Sequence, residues 1–103
     1  MKKINDTDLT LCNQFICERF ELEPLENELS ESELIRHLSK AIRFYLDKDF
    51  NKLLNILYRI DVKETDIKQI LTASPPNEIA ETLAVTIIDR EKQKIQTRKK
   101  YRD

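Results

Sequence analysis

Cys12, Cys17 and His37 are the side chains best suited to hold a soft metal. Zinc sites pair their ligands at short spacings and close with a fourth ligand, and this set offers neither. The two cysteines lie five positions apart, about 140° around a helix, so they cannot form a disulfide without unwinding it. The expected state is two free, buried thiols in a reducing compartment, with no metal and no cofactor. Asp47-Lys48-Asp49-Phe50-Asn51 opens like a calcium loop. The sixth position of such a loop requires glycine and is Lys52; the twelfth requires glutamate and is Tyr58. Helix capping explains the two aspartates better.

General acid–base chemistry has one obvious candidate, His37, with Glu33 one helical turn before it and Arg36 beside it. A working base needs a nucleophile or a second acid near a bound substrate, and the sequence supplies neither. Tyr45, Tyr58 and Arg59 are the polar residues nearest the apolar stripes. A buried tyrosine hydroxyl needs a partner, for which Asp47 or Asp61 is available. Arg59 with Asp61 reads as an ion pair pinning a helix junction. No nucleophile elbow, zinc-protease helix, phosphate loop or dinucleotide fingerprint occurs. No catalytic residues are assigned, and the chain is not expected to be an enzyme.

The strongest functional hint is the C-terminal run of cations. Residues 89–103 hold seven Lys or Arg against three acids, whereas residues 18–33 hold seven glutamates against Arg19 alone. Lys94, Arg98, Lys99, Lys100 and Arg102 are the candidate contacts to nucleic-acid phosphates or to a partner, and Tyr101 could stack on a base. Against nucleic acid stands the formal net charge of −1. Cations near a helix C-terminus also favour the helix dipole.

The elements that must position these residues follow from an absence. The chain has no glycine among 103 residues, where average usage predicts about seven. It therefore has little use for tight hairpins or phosphate-cradling loops. Hydrophobic residues make up 40% and charged residues 36%, and the apolar ones are periodic, as in a folded helical domain. No apolar run approaches the length that spans a bilayer, and no hydrophobic leader follows Met1, so a cytoplasmic protein without membrane contact is expected.

Leu9, Cys12, Phe15, Ile16 and Phe20 predict a first helix over 7–20; its residues also alternate as a strand would, but no partner strand exists. Residues 21–29 read as an acidic linker interrupted by Pro24. Ser30 with Glu33 has capping-box spacing and starts a helix carrying Leu34, Ile35, Leu38, Ala41, Ile42, Tyr45 and Leu46. Asp47 or Asp49 caps a third, with Phe50, Leu53, Leu54, Leu57, Tyr58 and Ile60. Asp61 with Glu64 repeats the capping-box spacing and predicts a fourth helix from Val62, burying Ile67, Ile70 and Leu71. Ser74-Pro75-Pro76 ends it and starts a fifth, with Ile79, Ala80, Leu83, Ala84, Ile87 and Ile88. Beyond Asp89 only Ile95 and Tyr101 are apolar, so residues 90–103 are expected as an exposed helical extension or a frayed tail.

The expected fold is all-α: a single-domain helical bundle over 1–89, four main helices with an N-terminal helix across them, and no β-sheet. The expected function is a small cytoplasmic protein-interaction or accessory module without catalytic activity. Its partner would be another protein or, through the opposite-signed ends meeting head to tail, a second copy in a homodimer. The alternative is nucleic-acid association through the basic tail, weakened by salt and lost on deleting residues 90–103.

Overall fold

In a computed structural model describing residues 6–25 and 30–102, five α-helices follow one another. They are α1 (Asp6–Phe20), α2 (Glu31–Lys48), α3 (Phe50–Ile60), α4 (Glu64–Ala73) and α5 (Ile79–Arg102), with one 3₁₀ turn, Pro76–Glu78, leading into α5. No strand occurs among the described residues, and the chain is all-α. α5 is the axis of the fold. It packs most extensively against α2 and also touches α1, α3 and α4.

Local chemistry accounts for the boundaries. Ser30 and Glu33 form the reciprocal capping box at the start of α2, the hydroxyl accepting from the Glu33 amide at 3.1 Å and the carboxylate from the Ser30 amide at 3.3 Å. Asp49 serves both neighbours. Its amide donates to the Tyr45 carbonyl at 2.9 Å, closing α2, and its carboxylate accepts from the Lys52 amide at 3.2 Å, opening α3.

The second predicted capping box does not form. Asp61 instead takes a left-handed conformation, φ 73°, at the end of α3. The Val62 amide reaches back to the Leu57 carbonyl and the Asp61 amide to that of Tyr58. This is the Schellman closure, ordinarily a glycine's role. α4 starts two residues later than expected, with Lys63 at its N-cap and no side-chain cap. α1 ends the same way. Glu21 has φ 59°, Leu22 bonds to Cys17 and Glu21 to Glu18. A chain without glycine thus places two charged residues in the conformation glycine favours.

The core is one cluster drawn from all five helices, including Leu9, Ile16, Phe20, Leu34, Leu38, Ile42, Leu53, Leu57, Ile60, Ile67, Leu83, Ile87 and Ile88. It extends further along α5 than the apolar stripe predicted. Ile95 is buried, and so is Glu91. Polar bonds bring α1 over this stretch, with Gln96 Nε2 donating to Asp8 Oδ2 at 2.6 Å. A buried Asn13 on α1 holds the following segment by exchanging bonds with both backbone groups of Leu25, at 2.9 and 3.2 Å. Cys12 and Cys17 are buried and free. Tyr45 finds its partner in the Phe20 carbonyl at 3.2 Å, not in an aspartate, and Tyr58 is exposed. Asp61 pairs with Arg90 rather than Arg59, because residues two apart at a helix end do not face each other.

Candidate binding surface

Much of the charge that the sequence offers at its C-terminal end is turned inward. Lys94 donates its ammonium to the Ile60 carbonyl at 2.9 Å and lies 3.7 Å from the buried Glu91. It thereby satisfies one of the open carbonyls at the end of α3, where the helix dipole favours a cation. Arg90 holds Asp61. Lys92 bridges to Glu31 at 3.0 Å, joining the acidic segment to the basic one within a single chain. Burial alone would lower the Lys92 ammonium's pKa; the bond to Glu31 and the nearby Asp89 more than offset that, and it lies above its ordinary value. Arg98 stacks its guanidinium 5.5 Å from the Phe15 ring centroid and stays exposed. Lys99, Lys100 and Arg102 continue α5, and their side chains lie outside the described residues.

The other candidates have local duties. His37 Nε2 lies 2.9 Å from the Glu23 carbonyl, and since a carbonyl only accepts, that nitrogen carries the proton. The bond ties α2 to the segment after α1. Cys17 donates to Asn13 Oδ1 at 3.3 Å. Among the described residues, no three His, Cys, Asp or Glu side chains are placed to hold a metal ion.

A different surface emerges that the sequence reading did not single out. A groove of about 470 Å³ lies between α2 and the beginning of α5, lined by Ser32, Ile35, Arg36, Ser39, Lys40, Arg43 and Glu81. Positions 32, 36, 39, 40 and 43 fall within an arc of about 100° on α2, so one face presents three cations and two hydroxyls over about 16 Å. None of the three cations makes an ion pair or side-chain hydrogen bond with any described residue. A second hollow continues the groove along α2. It shares Lys40 and Arg43 and adds Phe44, Leu46, Asp47 and Pro76. Phe44 is 58% exposed, the most exposed large apolar side chain among the described residues. The signal was present as cations at spacings of four and three, but such spacing commonly marks only a solvated face. It takes the α5 wall to make it a groove.

Compared with family models, curated proteins and solved structures, the chain matches none. Among the described residues no helix is long and apolar enough to cross a membrane.

Proposed function

We propose that this chain is a small cytoplasmic interaction module without catalytic activity, and that it takes a protein partner on the α2–α5 groove and its Phe44 rim. The observation that carries this reading is the pairing of three cations that have no partner among the described residues with an exposed aromatic ring on one face. Interface anchors are enriched in arginine and aromatic residues for that reason. The opposite-signed ends are engaged with each other inside the chain through Lys92 and Glu31. That favours a different protein over a head-to-tail second copy.

The test is capture of a partner by the full chain at moderate salt, set beside Phe44→Ala and the Arg36→Glu/Arg43→Glu pair. Capture by the wild-type chain and loss in both variants supports the reading. Equal capture by all three, or no protein retained by a chain that sediments as a monomer, overturns it.

Nucleic-acid association through Arg98, Lys99, Lys100 and Arg102 is the second reading, Lys94 of the expected set being engaged by the Ile60 carbonyl and Glu91. It is favoured by the continuation of α5 to Arg102, which sets positions 98, 99 and 102 on one helix face. It predicts binding at low salt that falls steeply as salt rises.

A further inference from the structure

Resting on the partner-binding reading, we propose that the α2–α5 groove is a receptor for a phosphorylated side chain of the partner, with Arg36, Lys40, Arg43 and Ser39 as its ligands. The first observation is Ser39. Its residue is 6% exposed, it lines the groove, and its hydroxyl oxygen has no hydrogen-bond partner. A buried hydroxyl inside a helix ordinarily donates to the carbonyl four residues back. Even the exposed Thr72 and the half-buried Thr86 do so here, to Lys68 and Thr82, at 2.8 and 2.9 Å. Ser39 forgoes that bond, and leaving a buried hydroxyl unmatched is costly. The oxygen is itself covered, so a turn of the side chain toward the groove would let an arriving acceptor satisfy it.

The second observation is charge. Three cations and Glu81 give the groove a net +2, which matches the roughly −1.5 to −2 of a phosphate monoester at neutral pH. Two guanidinium forks, one ammonium and the Ser39 hydroxyl offer more donors than one carboxylate accepts, and three phosphate oxygens use them better. Removing this +2 from the chain's −1 leaves −3 on the remainder. An extended polyanion would meet that field at both ends, whereas a single phosphate on a folded or flexible protein segment would not. The neighbouring hollow of Phe44, Leu46 and Pro76 receives an apolar residue flanking the phosphate.

The experiment is a ¹H–¹⁵N NMR titration of the full chain at fixed ionic strength. Its probes are a short peptide carrying one phosphoserine beside a phenylalanine, the same peptide unphosphorylated, inorganic phosphate, and oligo(dT). Saturable shifts at 36, 39, 40, 43 and 81 with the phosphopeptide are expected, joined by shifts at 44 and 46. The unphosphorylated peptide should bind at least about tenfold more weakly, and so should the phosphopeptide to Ser39→Ala or Arg43→Gln. Ser39→Ala should meanwhile raise the melting temperature, since alanine is the better helix former.

No shift with either phosphate-bearing probe overturns the proposal, as do shifts unchanged in Arg43→Gln. Inorganic phosphate binding as tightly as the phosphopeptide overturns the protein source. Tighter, steeply salt-dependent binding of oligo(dT) at the same residues makes the groove a nucleic-acid site instead. If phosphate probes fail while a captured partner is still lost on Phe44→Ala, the docking reading stands and only the phosphate chemistry falls.

Discussion

Arg90 grips Asp61 twice, its Nε donating to the backbone carbonyl at 3.1 Å and a terminal nitrogen to the carboxylate at 3.0 Å. Together with Lys94 on the Ile60 carbonyl, α5 supplies the last carbonyls of α3 with two cations from outside. The backbone closure satisfies the Leu57 and Tyr58 carbonyls, and the lysine and arginine satisfy those of Ile60 and Asp61 that it leaves open.

Lys94 carries the larger share of this arrangement, because Glu91 depends on it. Glu91 is 2% exposed, one of its oxygens has no hydrogen-bond partner, and its ion pair is with Lys94. Lys94→Met leaves that buried carboxylate uncompensated and is expected to cost about 3 kcal/mol. Adding Glu91→Leu to it should restore most of the loss. Arg90→Ala, at a half-exposed site, should cost no more than about 1 kcal/mol. Urea unfolding of these three variants beside the wild type checks this. A Lys94→Met loss no larger than that of Arg90→Ala would show that Glu91 is not compensated by Lys94.

The two left-handed residues make opposite predictions. Glu21 has φ 59°, and among the described residues its side chain makes just an exposed contact to Lys52. Glu21→Gly relieves the conformation at the expense of unfolded-state entropy, with an expected net gain of about 0.5–1 kcal/mol. Aspartate tolerates this region better, and Asp61 also holds Arg90, so Asp61→Gly should be neutral or slightly harmful. Denaturant midpoints decide it. A destabilised Glu21→Gly would mean that the carboxylate, not the backbone, is what the position requires.

These two ends show why the sequence was legible in some places and not in others. Ser30/Glu33 and Asp49 were readable because caps act over three residues, and the stripes of α2 and α3 because their buried faces are wholly apolar in α3 and interrupted in α2 only by Ser39 and the Tyr45 hydroxyl. The closure after α3 was hidden. Asp61 followed by Glu64 satisfies the rule for a helix start, while the competing rule for a helix end looks for glycine. Apolar residues five apart, Leu57 with Val62 and Cys17 with Leu22, were the remaining trace of each closure. α1 and the far half of α5 were obscured because they bury polar groups, Asp8, Asn13 and Glu91, that periodicity counts as surface. The α2 groove required the partner wall of α5, which no local pattern encodes.

Ile95 tests whether the C-terminal stretch belongs to the core. It is 2% exposed, so Ile95→Ala should cost about 3 kcal/mol. A chain ending at Asp89 also loses Arg90, Glu91 and Lys94, and should lose cooperative unfolding in circular dichroism. Tail deletion therefore cannot isolate a binding contribution. Arg98→Gln with Lys99→Gln is the informative variant for the nucleic-acid reading. An Ile95→Ala protein as stable as the wild type would return residues 90–103 to the status of an appendage.

The thiols and Lys92 set the alkaline limit. Burial, with Glu91 adding, pushes the Cys12 thiol from 9.0 up to about 12, and burial also raises Cys17. In the unfolded chain both ionise near their ordinary value, so the folded state binds protons more tightly above that point. Their contribution is complete below pH 9.0, erodes above it, and for Cys12 is gone once pH passes about 12. Lys92, also raised, acts in the same direction from its ordinary value of 10.5 upward. Thermal melts should therefore hold steady from neutral pH to about 9 as far as these groups are concerned, then fall. The native thiols should resist a disulfide reagent at pH 8 and react only with unfolding. Replacing Cys12 with alanine removes the largest of these contributions, and should flatten the decline while lowering stability at neutral pH through the lost packing. Rapid modification of Cys12 in the folded chain, or a decline unchanged in Cys12→Ala, would assign the alkaline loss to other groups.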